Sequence, residues 1–314
     1  MTKLFIIGNG FDQDHKLKTS YNDFREYLLS QHPEINMEEF NAPTEHYDKD
    51  GERVYDRVEV LSMLFFLINE AENNTEWWSE LESSLGHLDF SPAFDYNEDI
   101  LDEDGHVHYF RTANRNEDIG SGLVIPTLTI QHLFADWINN IDLNAAKVKS
   151  DFQRLVSVQD CFLSFNYTDT LEEIYKIAED NVCHIHGKQN EKIFFGHGNT
   201  EDQTDYYMQM YIGSEDSLNA INRQLLKNTD EAIENNLDFF DDLEKANIKE
   251  IYSYGFSFGK VDHIYLKEIF SRINTENVMF YLNDYDYYNH DEYQQILINC
   301  GYKGTFDTFH IAAD

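Results

Sequence analysis

The stretch Phe5-Ile6-Ile7-Gly8-Asn9-Gly10-Phe11-Asp12 reads as an apolar strand that runs directly into a Gly-x-Gly turn, with a helix close behind. Glycines at such a turn let backbone amides approach a phosphate or ribose, and the following helix start adds donors and positive dipole. Gln13 stands where the full Gly-x-Gly-x-x-Gly pattern has its third glycine, so a tight strand-to-helix turn without a ligand is an equal reading. Just downstream, Leu17-Lys18-Thr19-Ser20-Tyr21-Asn22-Asp23-Phe24 joins a polar loop to an aromatic helix start. It could fold over the turn, or Ser20 could simply cap a helix whose Tyr21 and Phe24 enter the core.

Working outward, short bounded apolar runs at 4–7, 161–165, 182–185, 193–195, 250–254 and 278–282 predict buried strands. Helical periodicity falls between most of them, at 21–29, 171–177, 262–273 and 291–298, with Ser20, Thr168 or Thr170, and Asp262 as N-cap residues. This alternation predicts an α/β, Rossmann-like fold with a mostly parallel sheet and helices on both faces. Residues 54–157 show helical patterns at 58–71, 77–85 and 128–141 but no strand, and predict a helical insertion. Within that interval, 91–122 carries Pro92 and three glycines and is expected to be a long surface loop. A second helical stretch is expected at about 206–246, and the whole is read as one α/β domain over 1–314.

Composition narrows the partners. With 59 Asp and Glu against 23 Lys and Arg, the formal net charge is −36, a field that repels nucleic-acid phosphates. Cys161, Cys183 and Cys300 form no Cys-x-x-Cys pair, so neither a structural zinc nor a disulfide framework is expected. The opening apolar run is too short for a signal peptide, and no run approaches a membrane span. A cytoplasmic protein with no membrane association follows from that reading; a homo-oligomer is left open, and the glycine turn makes a nucleotide the expected small-molecule partner.

Gly8-Asn9-Gly10-Phe11-Asp12 followed by Thr19-Ser20-Tyr21 and Phe24 resembles the opening signature of AbiH-like bacteriophage abortive-infection proteins. The resemblance continues through Trp78 and Glu82, through Ser164-Phe165-Asn166-Tyr167-Thr168-Asp169-Thr170-Leu171-Glu172, and through His184-Ile185-His186-Gly187, so that it spans most of the chain. That family in turn resembles sirtuin-like NAD-binding folds, in which a glycine turn, an Asn-Tyr-Asp strand end, a His-Gly strand end and a late Gly-x-Ser turn surround one cleft. Here these are Gly8 to Gly10, Asn166, His186-Gly187 and Gly255-Phe256-Ser257, each at the C-terminal end of an expected strand, where open α/β sheets place ligands.

Two departures stand out: Thr168 replaces the acid that follows Asn-Tyr, with Asp169 one residue later, and the sirtuin zinc cysteines are absent. The resemblance therefore implies cleavage of NAD or a related nucleotide at the N-glycosidic bond rather than deacylation, with NAD as substrate or ligand, no cofactor required, and a phage-derived trigger left open. Asn166, His186, Asp169 and Glu82 are the catalytic candidates. Gly8, Asn9, Gly10, Phe11, Asp12, Thr19, Ser20, Tyr21, Gly255 and Ser257 are the binding candidates, and Asp12 is a further candidate carboxylate. Each also has a plainer role: Asn166 as a helix cap, His186 as a buried histidine, Ser257 as a turn residue. Two other functions are open, a nucleotide-binding sensor or scaffold without turnover, and a metal-dependent phosphodiesterase or nuclease. No compact ligand motif supports the last. Phe194-Phe195-Gly196-His197-Gly198-Asn199 reads as a flexible loop near the cleft or a hairpin turn.

Overall fold

The computed structural model describes residues 2–73, 80–95, 100–101 and 103–312. Trp78, part of the AbiH-like signature, and the start of the helical pattern at 77–85 lie outside them, while Leu81–Leu85 of that pattern is helical. The strands in chain order are β1 (Thr2–Ile7), β2 (Glu45–Tyr47), β3 (Arg53–Tyr55), β4 (Cys161–Ser164), β5 (Val182–His184), β6 (Ile248–Tyr254), β7 (Met279–Asn283) and β8 (Thr305–Phe309). The helices are α1 (Asn9–Asp14), α2 (Tyr21–Gln31), α3 (Arg57–Ala71), α4 (Leu81–Leu85), α5 (Tyr109–Asn139), α6 (Ser150–Leu155) and α7 (Thr170–Tyr175). They continue with α8 (Thr204–Met210), α9 (Glu215–Leu225), α10 (Thr229–Glu234), α11 (Leu237–Lys245), α12 (His263–Arg272) and α13 (His290–Asn299).

The chain divides into two compact units. The first comprises Met1–Ser20, Trp137–Phe194 and Asn228–Asp314 and holds the six-stranded sheet. Its strand order is β5-β4-β1-β6-β7-β8, and every pairing is parallel. Numbered along the chain within that sheet, the order is 3-2-1-4-5-6, that of doubly wound Rossmann-like sheets, with the switch of direction between β1 and β6. Successive side chains of β1 point to opposite faces, and both faces are covered. Leu4 and Ile6 join a core with Phe240 of α11, Leu266 and Ile269 of α12 and Leu297 of α13. Phe5 and Ile7 join the opposite core with Phe152 of α6 and Leu171 and Tyr175 of α7. Register places Phe162, Phe5, Tyr252 and Tyr281 side by side across four strands, and their rings stack at 5.0, 5.1 and 4.5 Å.

The second unit comprises Tyr21–Asp136 and Phe195–Lys227. Among its described residues the named strands are β2 and β3, an antiparallel hairpin, and the other named elements are helices. The surface loop expected at 91–122 is corrected here, because α5, a helix of 31 residues, begins at Tyr109 and runs through Gly120, Gly122 and Pro126. A side chain on Gly120 would stand 3.2 Å from the side chains of Ser214 and Ser217, a tight approach. The strand expected at 193–195 does not form. Phe194 and Phe195 are buried, but only a single backbone bond, from Phe194 N to the His186 carbonyl (2.8 Å), ties this run to β5's extension. No described helix is long and apolar enough to cross a membrane.

Between β1 and β6 the two strand-end turns meet backbone to backbone. Gly8 N donates to the Tyr254 carbonyl (3.0 Å) and Gly10 N to the Gly255 carbonyl (2.9 Å). A side chain on Gly8 would fall 2.5 Å from Gly255 O, and one on Gly255, whose φ is +66°, 2.1 Å from Phe11 N. Gly255→Ala is therefore expected to lower the melting temperature far more than Gly51→Ala. Gly51 has a similar φ of +82° but nothing within 4 Å, so its substitution carries only the left-handed penalty of about 1–2 kcal/mol. Equal losses in thermal melts would show that handedness alone fixes Gly255.

Candidate functional site

Four of the motifs singled out in the sequence lie at the C-terminal edge of the first unit's sheet: the Gly8 turn after β1, Asn166 after β4, His186 after β5 and Gly255 to Ser257 after β6. Asp12, on α1, is 1% exposed. Its Oδ2 accepts from Thr168 Oγ1 (2.5 Å), which also pairs with Thr170 Oγ1 (2.9 Å). The two threonines expected to cap α7 thus turn toward Asp12, and Asp169 at the cap position makes no capping bond. Oδ1 of Asp12 and Oδ1 of Asn166 are both buried with no hydrogen-bond partner. Burial pushes the Asp12 carboxyl up to about 6, against the pull of Thr168, Thr170, Asn166 and His184.

Asn166 sits between the two halves of this cluster. Two residues on, Thr168 reaches Asp12; the flanking rings of Phe165 and Tyr167 lie 5.3 and 6.1 Å from that of His186. His186 is buried, and its Nε2 stands 3.5 Å from Oδ1 of Asp262. Asp262 was expected to cap α12, but it makes no cap bond there and faces the histidine instead.

Behind Asn166, His184 Nδ1 donates to the Asn166 carbonyl (3.1 Å) and Nε2 to Glu172 Oε1 (2.8 Å). Both ring nitrogens face acceptors, so both bonds form only on the imidazolium. Burial alone would lower the His184 pKa, but the Glu172 hydrogen bond and charge outweigh it and raise it. Glu172 is the mirror case, with burial opposed and overcome by His184 so that its pKa falls. Asp169, Glu172 and His184 offer ligand atoms within 4.8 Å of one another, a spacing that suits a cation. Lys188 Nζ already stands 2.9 Å from Asp169, however, and His184 has both nitrogens engaged. The lysine supplies the positive charge that an ion would bring.

The remaining binding candidates divide by environment. Phe11 is a core residue, ringed by His15, Phe152, Tyr175 and Tyr254. Asn9 Nδ2 donates to the Thr19 carbonyl (2.8 Å), which ties the polar loop before Ser20 to the glycine turn. Ser257 is exposed beside Gly255. Tyr21 opens the second unit. Glu82 also belongs to the second unit, where its Oε2 pairs with Nζ of the buried Lys227 at 2.8 Å. His197, in the loop expected to be flexible, is held there as well: it bridges to Leu226, donates from Nε2 to the Asn222 carbonyl and accepts at Nδ1 from Asn199 N. With one donor and one acceptor it is satisfied as neutral imidazole, and burial lowers its pKa.

Sequence reading named Glu172, His184 and Asp262 only as parts of motifs or caps. The recoverable signal was the His-x-His spacing at the end of β5, which carries His184 and His186 to the same edge.

The His184–Glu172 pair carries its own pH signature. The raised histidine stabilises the fold below its unfolded value and loses that contribution as pH rises through the folded one. The lowered glutamate stabilises above its unfolded value and loses the contribution as pH falls. His184→Gln is therefore expected to lower the melting temperature most between about pH 4.5 and 6.5, where both partners are charged. A mutational loss that is flat across pH 4 to 9 in calorimetry would remove the imidazolium assignment.

No curated protein and no solved structure matches the chain. The family model described as "Bacteriophage abortive infection AbiH" matches residues 4–284, a span that takes in both the glycine turn and every strand-end residue described above. The chain is thus a member of the AbiH family of bacteriophage abortive-infection proteins.

Proposed function

We propose that this AbiH protein is a nucleotide N-glycosidase with a sirtuin-like site, acting in abortive infection by hydrolysing NAD or a related nucleotide. The observation that supports this most directly is the pair of buried, unpartnered oxygens on Asp12 and Asn166, joined to one strand-end cluster with His186. A buried polar atom without a partner costs roughly 1–3 kcal/mol, and such atoms persist where a ligand completes them.

In this reading Asn166 Oδ1 orients a ribose hydroxyl and the attacking water. The bond from the ribose C1′ to the nicotinamide nitrogen breaks, nicotinamide leaves with the electron pair, and water adds to C1′ while His186, backed by Asp262, takes its proton. Ionised Asp12 stabilises the oxocarbenium-like positive charge. Asp169, paired with Lys188, positions the Asn166 loop from behind. The Gly8 and Gly10 amides are engaged by β6 and its turn, so the glycines serve by leaving the nucleotide close access to the backbone. Asn9, the Thr19–Ser20 loop and the exposed Ser257 are the proposed polar contacts.

Nicotinamide release from NAD, followed by mass spectrometry, is expected for wild type and lost in Asn166→Ala and His186→Ala. NAD binding in calorimetry without release would replace hydrolysis by the sensor reading, and neither binding nor release would remove the nucleotide site.

Asp12 gives a second, sharper test. Its raised pKa of about 6 means that folding disfavours the ionised form, so stability falls as pH rises from the usual carboxyl range through about 6. Asp12→Asn is expected to melt higher than wild type at pH 8, yet to turn over on the order of 100-fold more slowly and to lack the acidic limb near pH 6. A variant that melts lower and keeps that limb assigns the titration to another group.

A further inference from the structure

Tyr285, Tyr287 and Tyr288 are 91%, 68% and 97% exposed and follow directly on β7, at the same edge of the sheet as Asn166 and the Gly8 turn. Solvated large aromatics are common singly, whereas three within four residues form a patch. The segment is fixed in shape. Asn283 Oδ1 accepts from Tyr285 N (2.9 Å), His290 Nε2 donates to the Asn283 carbonyl (2.8 Å), and the Tyr287 ring packs against Tyr288 and His290 at 5.9 and 5.7 Å. The rings are thus held outward by a braced turn. In sequence they alternate with Asp284 and Asp286 and are followed by Asp291 and Glu292; Asp284 pairs with His310 at 2.7 Å, and no lysine or arginine occurs between Arg272 and Lys303.

We propose that this ridge is a docking surface for a cationic polypeptide segment, whose arginine or lysine side chains lie on the tyrosine rings and pair with the surrounding carboxylates. Tyrosine gives large contact area with few rotatable bonds, and its face attracts guanidinium and ammonium groups. The charge pattern decides between occupants. A nucleic acid would stack on the same rings but would bring phosphates against the acids. A second copy of the chain would bring another net charge of −36.

The test is fluorescence anisotropy of a fluorescein-labelled nona-arginine peptide titrated with the full chain at about 0.15 M salt, where long-range attraction to the acidic surface is screened. The triple variant Y285A/Y287A/Y288A keeps every charge and is expected to bind at least about tenfold more weakly, as three lost cation–π contacts imply. The double variant Y109A/F110A, which removes exposed aromatics elsewhere, is expected to bind as wild type does. Because the ridge rings are solvated, the triple variant should melt as wild type does. Should it not fold, Tyr288→Ala alone is expected to weaken binding about threefold. Equal binding by wild type and the ridge variants would overturn the proposal in favour of general charge attraction. So would an oligonucleotide whose binding depends on the ridge, or self-association in sedimentation that the triple variant abolishes.

Discussion

The contact of one backbone with another between β1 and β6 is the constraint from which the site follows. Gly8, Gly10 and Gly255 bring the two strand-end turns to hydrogen-bonding distance where the sheet reverses direction. A side chain at any of them would separate the turns, and α1 would lose its seat against β6. Because α1 carries Asp12, the depth of that carboxyl, and hence its raised pKa, derives from three positions that have no side chains at all. The same approach engages the Gly8 and Gly10 amides that a phosphate would otherwise use.

An excess of acid makes the placement of the few cations informative. Lys149 lies against Asp14, Lys188 against Asp169 and the buried Lys227 against Glu82. Each is drawn inward to a carboxylate instead of decorating the surface, where isolated ion pairs add little. At the candidate site the pairing is extended through His184, which exchanges a charge with Glu172 on one side and holds the Asn166 carbonyl on the other. An uncharged His184 would have to release one of the two. His197, facing one donor and one acceptor, shows that burial in this chain does not by itself charge an imidazole.

Much of the sheet was legible because its central strands are buried on both faces and read as short apolar runs, as at 4–7, 161–165 and 250–254. β8 and the β2–β3 hairpin were not, since Thr305 to Phe309 and the hairpin strands carry polar residues suited to an exposed edge. The run at 193–195 misled for the opposite reason: its phenylalanines are buried without a ladder to join. Gly120 and Gly122 helped to signal a loop at 91–122 although both lie within α5, and the sequence does not say that Gly120 faces Ser214 and Ser217. At the site, the strand-end motifs were visible, but the pairings were not. Thr168 with Asp12 is separated by 156 positions and His186 with Asp262 by about half as many, and no local pattern encodes either.

The position of β1 has a consequence for how the chain comes to be folded. β1 is a central strand of the sheet, yet the two strands it pairs with begin only at Cys161 and Ile248 and so leave the ribosome long after it. Until β4 has been made, then, Leu4 to Ile7 has both hydrogen-bonding edges unpaired, and until β6 follows it has one. Such non-local parallel pairing forms slowly and leaves intermediates that are prone to aggregate. A nascent chain of this design gains from shelter until β6 has emerged, since only then can β1 be paired on both sides.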